Sequence, residues 1–170
     1  MQLLKKIFLI SCFTIAMAYL ESIIVVYLRE MSAINYLTSI KNSELALRLP
    51  YFALIKNPLV IVPNLKILNI EIFRQVATII MLFSLALLVG KKLKEKLAVF
   101  LFSFGLWDIF YYIFLYLLLK WPSSLSTLDV LFLIPLPWIA PVWLPIEISV
   151  LMILIALYLF KEKKGNASTS

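Results

Sequence analysis

Glu71-Ile72-Phe73-Arg74-Gln75 places an acid, a base and an amide within about one helical turn, at the head of a run that stays largely apolar to Gly90. A run of that length and composition reads as a helix crossing a lipid bilayer. The whole chain agrees with this reading: its 170 residues are 64% hydrophobic with mean hydropathy +1.02, against roughly 45–50% apolar content in a soluble domain. Ionisable groups inside a bilayer cost about 2.5–3.5 kcal/mol each on insertion scales, so they turn toward a bundle interior, a partner or a cavity. On a helix, Glu71, Arg74, Gln75 and Thr78 share one face, which leaves the Ile, Leu, Phe and Met side chains between them to the lipid.

Outward from this span, which covers residues 68–90, the chain offers three more. Residues 7–28 form the first, with Ser11, Thr14, Ala18, Glu21 and Ser22 making a small, polar stripe at a 3–4 spacing. Leu9-Ile10-Ser11-Cys12 and Ala16-Met17-Ala18 resemble cleavage sites, but hydrophobicity runs well past both, so the helix is expected to stay uncleaved. Residues 97–119 form the third, with Trp107 and Asp108 at the middle, Tyr111 close by, and Tyr112 four residues beyond Asp108 on the same face. Residues 142–160 form the fourth, with Glu147 near its start and a polar tail at 161–170.

The two longer connections, 29–67 and 120–141, are apolar but broken by proline. Asn42-Ser43-Glu44 is expected to cap a short amphipathic helix through Leu45, Leu47 and Leu49, ended by Pro50. Around Asp129, Pro135, Pro137, Trp138, Pro141, Trp143 and Pro145, regular helix cannot continue, and unsatisfied amides cannot face lipid. This segment is expected to lie at the interface or re-enter as a lid. The fold expected is therefore all-α: a polytopic, four-transmembrane-helix bundle in one transmembrane domain, 1–170, with two interfacial or re-entrant non-cytoplasmic loops.

Four spans put both termini on one side. Lys5 and Lys6, then Lys91, Lys92, Lys94 and Lys96, then Lys161, Lys163 and Lys164 flank the same side, which the positive-inside rule makes cytoplasmic. The protein is expected in a membrane, the inner membrane if bacterial. At ~1.5 Å per residue, Glu21, Glu71, Arg74, Asp108 and Glu147 then all fall in the outer half of the bilayer. An acidic chamber with Arg74 at its hub, roofed by the proline-tryptophan segment, is the arrangement expected, with Glu21, Glu71, Arg74, Gln75, Asp108, Tyr112 and Glu147 as ligand or proton sites. Trp107, Tyr111 and Trp138 are its expected lining.

Composition also excludes chemistry. Without histidine, haem held by imidazole, His-containing zinc or di-iron sites and Ser-His or Cys-His catalysis are closed to this chain. No cofactor and no resident metal are expected; a carboxylate-only site for a hard cation such as Ca²⁺ or Mg²⁺ is the weaker alternative. Cys12 alone can make no internal disulfide. The net charge of +7 sits at span ends, where topology and anionic headgroups account for it, so the bilayer and not nucleic acid is the partner.

The bland account of the polar residues is a lock in which Arg74 pairs with Glu71, Glu21 or Asp108. Its weakness is that acids outnumber the arginine, and surplus charge must be protonated, bind a cation or reach water. Of the functional readings, small size and missing redox ligands favour an accessory subunit of a larger membrane complex, with partner subunits or further copies against its apolar surface. A proton- or cation-coupled relay through Glu21, Glu71 and Asp108 is the alternative. The third is an enzyme or binder for a lipophilic molecule, with no catalytic residue assigned.

Overall fold

The computed structural model describes residues 2–32 and 44–166. Four long helices dominate it: α1 (Gln2–Ser32), α2 (Leu65–Val89), α3 (Leu93–Leu119) and α4 (Trp143–Asn166). Each contains a stretch long and apolar enough to cross a membrane, at Leu3–Leu28, Leu65–Val89, Leu93–Leu119 and Trp143–Lys161. α1 and α4 outrun these stretches, to Ser32 and Asn166, whereas α2 and α3 coincide with theirs. α2 starts at Leu65, since Asn64 caps it: its Oδ1 accepts from the backbone N–H of Lys66 at 3.0 Å and of Ile67 at 3.2 Å. α4 likewise runs on through Lys161 to Asn166, into the expected tail. Residues 167–170 lie outside the described residues.

α3 packs against each of the other three helices. Its contact with α4 is very close. A Cβ at Gly105 would lie 2.5 Å from the Ser149 carbonyl oxygen, so only a residue without a side chain lets the two backbones approach so far. Around the first turns of α1 and α3 and the ends of α2 and α4, the core is apolar: Ile10, Ala86, Ala98, Val99, Phe102, Ala156 and Phe160 pack together. At this end Lys6 Nζ lies 3.7 Å from Glu95 Oε2.

The opposite end corrects the all-α expectation. The two connections do not lie as separate loops. They pair into one antiparallel sheet of order β1-β2-β4-β3, with β1 at Leu45–Leu49, β2 at Phe52–Ile55, β3 at Leu128–Phe132 and β4 at Trp138–Pro141. The helix expected through Leu45, Leu47 and Leu49 is β1. Those leucines recur every second residue, the period of a strand, and Pro50-Tyr51 turns the chain so that Leu49 pairs with Phe52. The Asn42-Ser43 cap expected before it lies outside the described residues. The two hairpins join where Ala53 pairs with Ile139 and Leu54 with Trp138. Strand pairing thus answers the problem that the prolines posed: it satisfies backbone amides that a broken helix would leave bare. Pro135 and Pro137 fall between β3 and β4, Pro141 ends β4, and Pro145 sits in the first turn of α4, where no intrahelical N–H bond is lost.

The sheet is fastened to the bundle by a second core of Ile55, Ile61, Val62, Leu68, Leu133 and Ile139. Gln75 adds a polar rivet, its Oε1 accepting from the backbone N–H of Leu133 at 2.9 Å.

Candidate functional site: a roofed cavity between α2 and α4

Periodicity decides what each helix presents. The buried positions of α2 are Leu68, Glu71, Gln75, Thr78, Leu82 and Ala86, a 3–4 spacing that keeps the polar stripe inside while Phe73, Ile80 and Leu88 face out. In α1 the stripe of Thr14, Ala18, Glu21 and Ser22 is buried in the same way.

These two stripes meet at Arg74. Its Nε lies 3.1 Å from Glu71 Oε2 and 3.3 Å from Oε1, and its Nη2 lies 2.9 Å from Oε2, the forked geometry that suits guanidinium to carboxylate. Its Nη1 donates to Glu21 Oε2, and the Thr78 hydroxyl donates to the other oxygen of Glu21. One cation is therefore clasped by two carboxylates from different helices.

The remaining acids stand apart from this clasp. Asp108 makes no ion pair with Arg74; its Oδ2 accepts from Ser149 Oγ at 2.8 Å, tying α3 to α4. Tyr112, four residues on, donates not to Asp108 but to Oδ2 of Asp129 on β3, at 2.9 Å. Glu147 is a correction: it is exposed and outside the site. Two residues on a helix are about 200° apart, so once Pro145 and Ser149 face inward, Glu147 between them faces out.

Between these groups lies a cavity of about 180 Å³. Arg74, Gln75 and Thr78 line it from α2; Phe104, Trp107, Asp108, Tyr111 and Tyr112 from α3; and Pro145, Ile148 and Ser149 from α4. Residues 129–132 of β3 and Trp138 of β4 form its roof. The structure thus gathers Arg74, Gln75, Asp108, Tyr112, Trp107, Tyr111 and Trp138 round one space, with Glu21 and Glu71 holding Arg74.

A chain of rings walls the cavity. Trp107 meets Phe104 at 5.5 Å between centroids, Phe104 stacks on Phe132 at 6.4 Å, and Phe132 meets Trp138 at 6.1 Å. Tyr111 stacks on Trp107 at 6.1 Å. The indole N–H groups of Trp107 and Trp138 are both buried and have no hydrogen-bond partner. They are enclosed by protein, so other atoms of the two rings form the cavity wall.

The reading from sequence missed Asp129, Ser149, Phe104 and Phe132. The 3–4 spacing of Phe104, Trp107, Asp108 and Tyr111 could have found Phe104. Nothing local links Asp129 to Tyr112, because their contact depends on how the roof folds back. Among the described residues, no group of three or more acid, cysteine or histidine side chains is arranged to hold a metal ion. No protein family, curated protein or solved structure matches this chain.

Proposed function

We propose that this protein is an integral membrane protein that binds a small lipophilic molecule in the cavity between α2 and α4. The observation that carries the reading is the cavity: about 180 Å³, bounded by aromatic rings, with Arg74, Asp108 and Asp129 set into its walls. Ligand sites are typically apolar spaces with a few placed polar groups, and they form between helices of bundles. For scale, an apolar cavity of about 150 Å³ is enough to take up benzene. A molecule dissolved in the acyl chains would enter between the two helices, under the sheet.

Membrane insertion itself is supported by the belt of exposed apolar side chains, Phe8, Leu20, Phe73, Leu88, Leu117 and Tyr158 among them, spread over all four helices. Water would not tolerate so much exposed apolar surface, whereas lipid does. The basic residues near Lys6, Lys91 and Lys161 support a cytoplasmic side for those helix ends and the far side for the sheet. Lipid accounts for this belt, and the accessory-subunit reading gains no observation of its own. A relay across the membrane fares worse, because the apolar core of Ile10, Val99, Phe102 and Phe160 lies between the acids and the cytoplasmic end.

The test is native mass spectrometry of the full chain released from membranes in mild detergent. A retained small molecule, lost when Val130→Phe fills the cavity, is the expected result. Absence of any retained molecule, together with no saturable uptake of added lipophiles, would contradict the proposal.

A further inference from the structure

We infer that the β1–β2 hairpin is itself a lipid-contacting element: Leu47 and Leu49 sit among the acyl chains of the leaflet on the sheet side, and Arg48 turns the other way, toward the phosphates. This placement rests on the membrane insertion proposed above and is independent of what the cavity holds.

Two irregularities of register sort the side chains of the sheet. In the first hairpin the register shifts between Leu45, which pairs with Ile55, and Leu47, which pairs with Leu54; Leu49 then pairs with Phe52. In the second it shifts between Val130, which pairs with Ile139, and Phe132, which pairs with Trp138. Residues directly opposite each other share a face, and Leu54 is opposite Trp138 across the join. One face therefore starts at Phe132 and Trp138 on the cavity wall and continues through Leu54 and Phe52 to Leu47 and Leu49 on the edge strand. The 5.7 Å ring contact of Phe52 with Trp138 lies along it. The opposite face carries Leu45, Ile55, Val130 and Ile139 into the core at α2. Arg48, opposite Ala53, is on that second face and is exposed.

The first face runs from shelter into the open. Phe132, Trp138, Leu54 and Phe52 are half-buried, whereas Leu47 is 44% and Leu49 52% exposed. The level of these leucines follows from the hairpin turn. Tyr51 packs on Trp143 at 5.3 Å between ring centroids, and Trp143 is the first residue of the α4 stretch that is apolar enough to cross a membrane. The turn thus stands where that stretch begins. From there the sheet descends between the helices, since the backbone N–H of Leu133 reaches Gln75, ~15 Å along α2 from Leu65. Among the described residues β1 is the terminal strand of the sheet, and an open strand edge is tolerated beside headgroups and water but not in hydrocarbon. At this boundary the alternation Leu47-Arg48-Leu49 sends leucine to the acyl chains and arginine to the headgroups. Lys66 and Lys120, both exposed at the same end of the bundle, add charge of the sign that phosphate attracts. A continuous apolar face then leads from the acyl chains to the cavity wall.

The experiment uses the full chain with Cys12→Ser and one added cysteine, Leu47→Cys, Arg48→Cys, Leu49→Cys or Phe73→Cys, each carrying an environment-sensitive fluorophore. Phe73 on α2, 73% exposed, is the control for insertion. Vesicles of phosphatidylcholine and phosphatidylglycerol hold the protein, and the quenchers are a phospholipid with a nitroxide on its acyl chain and iodide on both sides of the membrane. Labels at positions 47 and 49 are expected to emit to the blue and to lose intensity to the lipid quencher, while the label at 48 emits to the red and loses intensity to iodide. Equal quenching by iodide at all three positions would put β1 in water and overturn the inference. Shielding of 47 and 49 from both quenchers would overturn it too, because a protein partner such as a second copy would then cover the face. Loss of lipid quenching at Phe73 as well would overturn membrane insertion itself.

Discussion

The two halves of the bundle are built from the same four helices by different rules. Toward the basic ends, α1, α2, α3 and α4 meet mainly through Ile10, Ala86, Val99, Phe102 and Ala156, with the Lys6–Glu95 pair beside them. Toward the sheet, the same helices meet through Glu21, Glu71, Arg74, Thr78, Asp108 and Ser149, and they enclose space instead of filling it. If polar contacts served only to lock helices together, the apolar half shows that close packing of small and branched side chains suffices. The polar half sets buried charge round a cavity, and the binding proposal rests on that difference.

Breaking the clasp should have the largest effect. Arg74→Leu strands Glu21 and Glu71 as buried, unpaired carboxylates, and loss of one partner of a buried pair typically costs ~3–5 kcal/mol. Thermal unfolding in detergent should show a large loss, and Glu21→Gln with Glu71→Gln should restore much of it. Failure of that rescue would place the role of Arg74 outside the clasp.

The seam between the halves comes next. Gly105→Ala puts a methyl 2.5 Å from the Ser149 carbonyl oxygen, so α4 must move away from α3. Overpacking of this kind costs ~1–3 kcal/mol. Because Ser149 also holds Asp108, the same variant should lose ligand binding, which Ala156→Val, an overpacking change in the apolar half, should not do.

Tyr112→Phe should be milder. It removes the donor to Asp129 and should cost ~1 kcal/mol, with the larger change in binding because the bond ties the roof to α3. Smallest of all is Lys6→Ala. Its pairing with Glu95 at 3.7 Å is partly exposed, and such pairs contribute ~0–1 kcal/mol, so stability should barely move.

What was legible in the sequence divides along the same line. Helix faces repeat every three to four residues over long spans, so the inward stripe of α2 and the burial of Glu21 could be read directly from spacing. The sheet could not be read in this way. Its strands are four or five residues long, and Leu45, Leu47 and Leu49 also fit the apolar face of a short helix when the run is so brief. Their alternation and the turn at Pro50-Tyr51 were the available signals. Asp129 was hidden for a different reason: it reaches the site only because β3 pairs with β4 over α3, a tertiary event with no local mark. Glu147 shows that depth without helical phase does not place a side chain. Two residues from the inward Ser149, it stands on the outward face of α4.

The most direct test of the central claim is a crystal structure of the full chain grown from a lipid mesophase. Density for a bound molecule is expected between Arg74 and Asp108, bounded by Trp107 and Trp138, with Arg74 still clasped by Glu21 and Glu71. A collapsed cavity in which Arg74 reaches across to Asp108 would contradict it and leave the polar cluster as a lock.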